Sequence, residues 1–530
     1  MLYSLLMPTF SILSAIPHPA KTEIISVEAD THPGFHSFNI IGLGDRSLKE
    51  AKERVTSAIK NSGLKPKHFY TKKLTVLLAP GDVKKEGTYF DLSIALSVLG
   101  AHGIYTTNSK HWLCIGELSL DGKIKECHKI IPVLRHIQNL NQNIKVIIPL
   151  ANKYLVKDLE LDKDKNVFYA GTLVDALNII TGSVLSQVYD NTRERLKINE
   201  EETTNESAIP EIIGNNQAKR ALLIAQAGNH HICLYGPSGT GKSSLGKWAK
   251  LCALDLTKDE QVETLHNRSF IDHCFDLNSY KKQPFVSISH EIPKQRLLGG
   301  NNYLIGEVSL AHNGILFMDE FIEFNPQIIR SLRGILETGK SVVYSNKVSY
   351  EVNAKLLLIA ATNLCPCGNF GSKTMHCNCK EDIRHKYTHR IPGAIIDRIP
   401  IWTLVENEGS YTHTIQIKST HGLNNVNEGD FNFNDYKKKL LSTVNFRNQR
   451  INNEEKNREV LIKRDNHEKE IISNISQEIK ENNAIKISHR SFKNLISVAR
   501  TIADIEQSEQ IMREHVYEAL GFRPTIFNAQ

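Results

Sequence analysis

Chemistry is densest in the stretch "HICLYGPSGTGKSSLGKWAKL", where an apolar run, Ile232 to Tyr235, leads straight into Gly-x-x-x-x-Gly-Lys-Ser. Gly236, Gly239 and Gly241 allow the chain to wrap so that successive backbone N–H groups point inward. The helix that follows adds the positive end of its dipole, and the two together make a cradle for phosphate. Across Gly236, Pro237, Ser238, Gly239, Thr240, Gly241, Lys242 and Ser243, the pattern assigns Lys242 to the β- and γ-phosphates and Ser243 to Mg²⁺. ATP and Mg²⁺ are therefore the expected cofactors. Downstream, "GILFMDE" ends an apolar run in two carboxylates. Asp319 suits the Mg²⁺ and Glu320 suits a base that polarises the attacking water. "KLLLIAATN" is a further apolar run, ending in Asn363, which is placed to orient water near the γ-phosphate. The expected reaction is hydrolysis rather than binding alone.

Directly after Asn363 comes "CPCGNFGSKTMHCNC". Cys365, Cys367, Cys377 and Cys379 would form a disulfide frame in a secreted protein and a metal site or tight loop in an intracellular one. They suffice for a closed, tetrahedral Cys₄ zinc site, although Cys-x-Cys is tighter than the usual spacing. Reduced thiols packed in a loop and a redox switch are the alternatives. Cys114, Cys127, Cys233, Cys252 and Cys274 are scattered and read as small buried hydrophobes.

These residues need elements to position them, and 530 residues are enough for several domains. Hydrophobic content of 40% and charged content of 23% describe a globular chain and exclude fibrous or disordered classes. The net charge of +7 permits nucleic-acid binding without establishing it. The apolar opening is interrupted by Pro8 and lacks a basic start, so no signal peptide is expected, and no apolar run is long enough for a membrane span. The cytoplasm is the default compartment. Residues 1–190 alternate β-like runs ("EIISVEA", "SFNIIGL", "KLTVLLA", "IKVIIPL") with amphipathic stretches such as "SLKEAKERVTSAIKNSG", which predicts an α/β domain. Residues 191–210 read as a polar linker, 211–404 as a second α/β domain with a Cys-rich insertion at 365–379, and 405–530 as helical.

The order strand, carboxylates, strand, Asn resembles AAA+ ATPases, whose sites lie between subunits of a ring. That resemblance implies a trans-acting arginine. Arg398 in "IPGAIIDRIPI" matches the arginine-finger segment of the branch holding magnesium chelatases and replicative MCM helicases, and Arg490 in "ISHRSFKNLISVARTIADI" resembles that branch's second sensor. With "GEVSLAHNGILFMDE" and the N-terminal "LAPGDVKKEGTYFDLSIAL" and "GELSLDGKIKE", the chain resembles the magnesium-chelatase-like ComM/YifB family from about Thr22 to Arg523. The family implies a bacterial cytoplasmic ATPase, a homo-hexameric ring that moves branched DNA during recombination and natural transformation. It also implies an N-terminal domain related to the Lon protease and a C-terminal helical lid.

Lon-type hydrolysis needs a Ser activated by a Lys. Tyr89 and Ile131 stand at the corresponding positions, with Ser93 and Lys129 nearby but out of register, so no protease activity is expected. Four readings remain: a recombination motor, a chelatase-type ATPase, a Lon-like protease and a DNA-binding module. Two departures from the family are visible: "ISHEIP" keeps only His290 of a usual His pair, and 406–435 does not match. For DNA, "DYKKKLL" and the segment with Phe446, Arg447 and Arg450 have suitable composition, though interleaved Lys, Arg and Glu more often form a solvated face. Lys294 to Gly314, with Lys294, Arg296 and Gly299-Gly300, is the better candidate by position.

Overall fold

The computed structural model describes residues 9–42, 46–81, 85, 87–106, 111–140, 143–163, 166–183, 209–210, 212–271, 279–300, 304–345, 348–406, 431–456 and 489–523. The chain forms two compact units: Met1–Glu200 with Leu256–Lys281, and Glu201–Asp255 with Lys282–Gln530. Both are α/β. Residues 191–208 of the expected linker, most of the unmatched 406–435 stretch and Cys274 lie outside the described residues.

The first unit is built on a seven-stranded sheet. Its elements are β1 (Phe10–Ile16), β2 (Glu23–Pro33), β3 (Ser37–Ile41), α1 (Arg46–Asn61), β4 (Lys72–Ala79), α2 (Asp91–Ala101), β5 (Trp112–Cys114), the small hairpin β6 (Glu117–Leu118) and β7 (Ile124–Lys125), α3 (Ile130–Gln138), β8 (Lys145–Pro149), α4 (Lys153–Asp158), β9 (Val167–Ala170) and α5 (Leu173–Thr181). The sheet order is β3-β4-β2-β1-β5-β8-β9. The four runs read as strands are strands β2, β3, β4 and β8, and the amphipathic stretch is α1. In β2, Ile25, Val27, Ala29 and Thr31 alternate inward, the pattern of a sheet with one covered face. Helix α2 is buried all along Asp91–Gly100, because the sheet and α1 enclose it.

The second unit opens with α6 (Asn216–Gly228), β10 (Ile232–Tyr235) and α7 (Lys242–Leu251). The chain then leaves this unit. Helix α8 (Lys258–Arg268) starts at a capping box, with the Thr257 side chain accepting the Glu260 N–H and Glu260 accepting the Thr257 N–H. Val262, Leu265 and Tyr280 enter the first unit's core beside Ile131, Leu134 and Val156. The sequence places 211–404 in one domain; Leu256–Lys281 belongs instead to the first unit. The apolar spacing of the segment marks a buried helix face without naming the core that receives it.

The second unit resumes with β11 (Phe285–Ile288), α9 (Lys294–Leu298), α10 (Glu307–Leu310), β12 (Ile315–Met318), α11 (Pro326–Thr338), the hairpin β13 (Lys340–Tyr344) and β14 (Ser349–Asn353), β15 (Leu357–Thr362), α12 (Glu381–Thr388), α13 (Gly393–Ile396) and β16 (Ile401–Leu404). Helices α14 (Phe433–Lys456), α15 (His489–Ile505) and α16 (Arg513–Gly521) complete it. The central sheet runs β11-β12-β15-β10-β16, all parallel. Its strands are continuous apolar runs because helices cover both faces. Parallel alignment puts the ends of β10, β12 and β15 on one edge, where an open α/β sheet binds ligands. The C-terminal helices pack on one another and on α6: Arg450 of α14 makes a two-pronged pair with Asp504 of α15, Arg447 donates to the Ala227 carbonyl, and Tyr436 Oη donates to Gln226 Oε1 at 2.7 Å. Arg447 and Arg450, considered for DNA on composition, serve the protein's own interior.

Candidate functional site

The phosphate loop hangs between two strands in register, Tyr235 of β10 beside Thr362 of β15. The Gly236 N–H donates to the Thr362 carbonyl, and a Cβ at Gly236 would lie 2.3 Å from the Val405 carbonyl oxygen, so glycine is required for the close approach to the end of β16. Thr240 Oγ1 donates to the Pro237 carbonyl at 3.0 Å and closes the loop. Lys242 Nζ folds back onto the Gly236 and Pro237 carbonyls at 2.9 and 2.5 Å. Burial lowers its ammonium to about 8, against the raising influence of Asp319.

Ser243, at the start of α7, donates through Oγ to Asp319 Oδ2 at 2.7 Å. This contact joins residues that the sequence assigned separately to Mg²⁺. A hydroxyl and a carboxylate are hard oxygen donors, and the pair fits that ion. Glu320 follows in the left-handed region at φ 52°, a conformation uncommon outside glycine and frequent at functional sites. Its Oε2 faces His290 Nδ1 at 3.1 Å. His290 follows β11, the neighbour of β12 in the sheet, so parallel pairing brings the imidazole to the carboxylate. The sequence marks His290 as the survivor of a pair but not Glu320 as its partner, because the two are far apart in the chain. Asn363 completes the rim. Gly239, Thr240, Gly241, Lys242, Ser243, Asp319, Glu320 and Asn363, with Ser238 and Ser244, line one cavity of about 330 Å³.

Arg398 and Arg490 are not among the residues lining that cavity. They meet elsewhere in the same unit, both donating to Glu337 in the last turn of α11. Arg398 is buried and also donates to the Ala394 carbonyl at 2.6 Å. Glu337 stands at a helix C-terminus, where the dipole disfavours an anion, and the two guanidiniums offset this and lower its carboxyl. Ser491 and Asn494 on α15 bond Asp397 at 3.3 Å, so the α13 segment and the start of α15 are held together.

Beyond Asn363, the Sγ atoms of Cys365, Cys367, Cys377 and Cys379 lie within 4.8 Å of one another. The cluster suits a metal ion. Cys114, Cys127, Cys233 and Cys252 are buried thiols, as their scatter suggested. Of the two residues that the resemblance sets against the Lon dyad, Tyr89 lies tilted against Phe90 and Ile131 is buried. Ser93 is buried and donates to the Phe90 carbonyl, and Lys129 lies 5.8 Å over the Phe270 ring. Their partners differ, and no dyad forms from these residues.

The parallel order, the phosphate loop and the two carboxylates that follow β12 define an AAA+ ATPase with ATP and Mg²⁺ as cofactors. Three family models match in chain order: Subunit ChlI of Mg-chelatase over residues 27–152, Magnesium chelatase, subunit ChlI over 208–412, and Magnesium chelatase, subunit ChlI C-terminal over 434–523. The chain is 28% identical to Competence protein ComM of Haemophilus influenzae over 510 residues, 96% of each protein. It is 29% identical to the uncharacterized protein YifB of Escherichia coli over 516 residues, 94% of each. The chain belongs to the magnesium-chelatase-like ComM/YifB family. Among the described residues, no helix is long and apolar enough to cross a membrane.

Proposed function

We propose that this chain is an ATP-driven motor, a homo-hexameric ring in the bacterial cytoplasm that migrates branched DNA in homologous recombination and natural transformation. The carrying observation is the assembled cleft, Ser243 bonded to Asp319 with Glu320 and Asn363 on the same rim, in a chain aligned nearly end to end with a protein named for competence. Lys242 and the loop N–H groups hold the β- and γ-phosphates, and Ser243 and Asp319 hold the metal. When bound, Mg²⁺ neutralises charge on the phosphate oxygens. Glu320 takes the proton of the attacking water, Asn363 orients that water, and His290 positions Glu320. Arg398, paired with Arg490 on Glu337 and absent from the lining of its own chain's cleft, is assigned as the arginine finger for a neighbouring copy's cleft once its pair with Glu337 opens, and Arg490 as the second sensor.

Contacts to DNA are expected to be with phosphates and to carry little sequence information. Two features of the second unit support them. Lys294 and Arg296 of α9 are exposed, with Arg296 also 3.1 Å from Glu307. The β13–β14 hairpin carries exposed Tyr344 and Lys340, a combination suited to stacking and to phosphate. The cysteine cluster is assigned a structural Zn²⁺.

The test is ATP turnover and junction migration with and without branched DNA. Stimulation by DNA and loss of migration in Lys242→Ala are expected. Migration that survives Lys242→Ala overturns the nucleotide assignment. The family models' magnesium chelatase names favour a second reading, an ATPase that remodels a protein or metal-insertion partner. Stimulation by a porphyrin-binding partner and not by DNA would select it.

A further inference from the structure

The phosphate loop is braced by residues outside its own motif. Past Asn363 the chain turns through Cys365-Pro366-Cys367-Gly368, and the Gly368 carbonyl accepts the Ser238 N–H at 2.8 Å. Gly368 has φ 75°, and a Cβ there would stand 3.0 Å from the Ser238 Cβ. Glycine is therefore needed twice over, for the left-handed backbone and for the close approach. A Cβ at Gly371 would lie 3.8 Å from Pro237, so the turn runs alongside the loop.

The four cysteines gather this turn. Cys365 and Cys367 Sγ are 3.3 Å apart, Cys367 and Cys377 3.6 Å, and Cys365 and Cys377 3.7 Å. Thiolates about 2.3 Å from a tetrahedral Zn²⁺ stand about 3.8 Å from each other, close to this spacing. A disulfide needs about 2.05 Å, well short of it. The Phe370 N–H points at Cys365 Sγ at 3.2 Å and helps fix the position of that sulfur. Soft sulfur ligands in a compact tetrahedron select Zn²⁺ over Mg²⁺ or Ca²⁺.

We propose that Cys365, Cys367, Cys377 and Cys379 bind one Zn²⁺, and that the metal-held turn, through the Gly368 carbonyl, keeps Ser238 and the phosphate loop in the shape that receives ATP. The proposal rests on reading the cleft as an ATP site and adds a control on it. Losing the metal frees Gly368 and weakens nucleotide binding without altering any phosphate-binding side chain.

The experiment measures metal content of the full chain by mass spectrometry and affinity for a fluorescent ATP analogue before chelation, after chelation and after zinc is returned. One Zn²⁺ per chain is expected, with Co²⁺ replacement giving the strong visible absorption of a tetrahedral thiolate site. Chelation and Cys377→Ser should each weaken analogue binding roughly tenfold, the scale of one lost or strained hydrogen bond, and returned zinc should restore the chelated protein. Gly368→Ala should keep the metal and still weaken binding, which decides the coupling even if the stripped chain unfolds. Folded protein that binds the analogue but carries neither zinc nor the cobalt spectrum overturns the metal site. Gly368→Ala with full zinc and wild-type affinity overturns the coupling. A zinc-loaded wild type that binds no analogue overturns the ATP assignment itself, while Lys242→Ala should lose the analogue and retain the metal.

Discussion

Lys242 carries its positive charge in a site that, empty of phosphate, disfavours it. Burial lowers the ammonium to about 8 from 10.5, so above about pH 8 the free site holds a neutral amine. Phosphate favours the charged form, and binding then takes up a proton. Affinity for ATP should stay nearly level between about pH 7 and 8, then fall with a limiting slope of about tenfold per pH unit above 8. Titration calorimetry in buffers of different ionisation heat checks both the affinity and the proton uptake; release of protons on binding would contradict the assignment. Lys242, Ser243, Asp319 and Asn363 were legible in the sequence because each sits at a strand end or in a loop whose spacing is itself the signal. The contact of His290 with Glu320 was not, because it depends on which strands are neighbours in the sheet.

Helices α6, α7 and α14 are joined by a small polar network inside an apolar core. Gln226 Nε2 donates to the Ala249 and Cys252 carbonyls, and its Oε1 accepts from Tyr436. Trp248 donates to the Pro210 carbonyl at 2.8 Å and lies edge-on to Tyr436 and Phe433. Tyr436→Phe keeps the ring and strands the Gln226 oxygen, so the second unit should lose about 1–3 kcal/mol. Chemical denaturation monitored by Trp fluorescence measures it, and an unchanged midpoint would mean that the oxygen finds another donor. At this scale the sequence was informative about identity and silent about partners. "FRNQR" has the composition of a nucleic-acid contact, yet Arg447 and Arg450 are spent on Ala227 and Asp504, since a helix face reads the same whether it meets solvent or another helix. Arg398 and Arg490 stand in segments that the sequence marks separately, and their common carboxylate Glu337 carries no such mark.

The chain passes from one unit to the other after Glu200, returns for Leu256–Lys281, and then leaves again. The returning segment supplies Val262, Leu265 and Tyr280 to the first unit's core, along with the Arg135–Glu263 pair at 2.8 Å. A fragment ending at residue 200 should therefore expose the apolar patch around Ile131, Leu134 and Val156. It is expected to melt at a lower temperature than the same unit in the full chain and to bind a hydrophobic dye. Adding a peptide of residues 256–281 should reverse the dye binding; a fragment that melts like the intact unit and ignores the peptide would show that the segment is dispensable. The sequence by itself determined the α/β class, the strand-loop-helix of the phosphate loop and the two carboxylates after an apolar run, because these are written in runs and spacings of a few residues. The pairing of His290 with Glu320, the brace from Gly368 to Ser238, the shared Glu337 and the return of Leu256–Lys281 to the first unit came only with the tertiary structure. Each joins residues distant in the chain, and such contacts follow from which apolar faces pack together, a choice that no local pattern encodes.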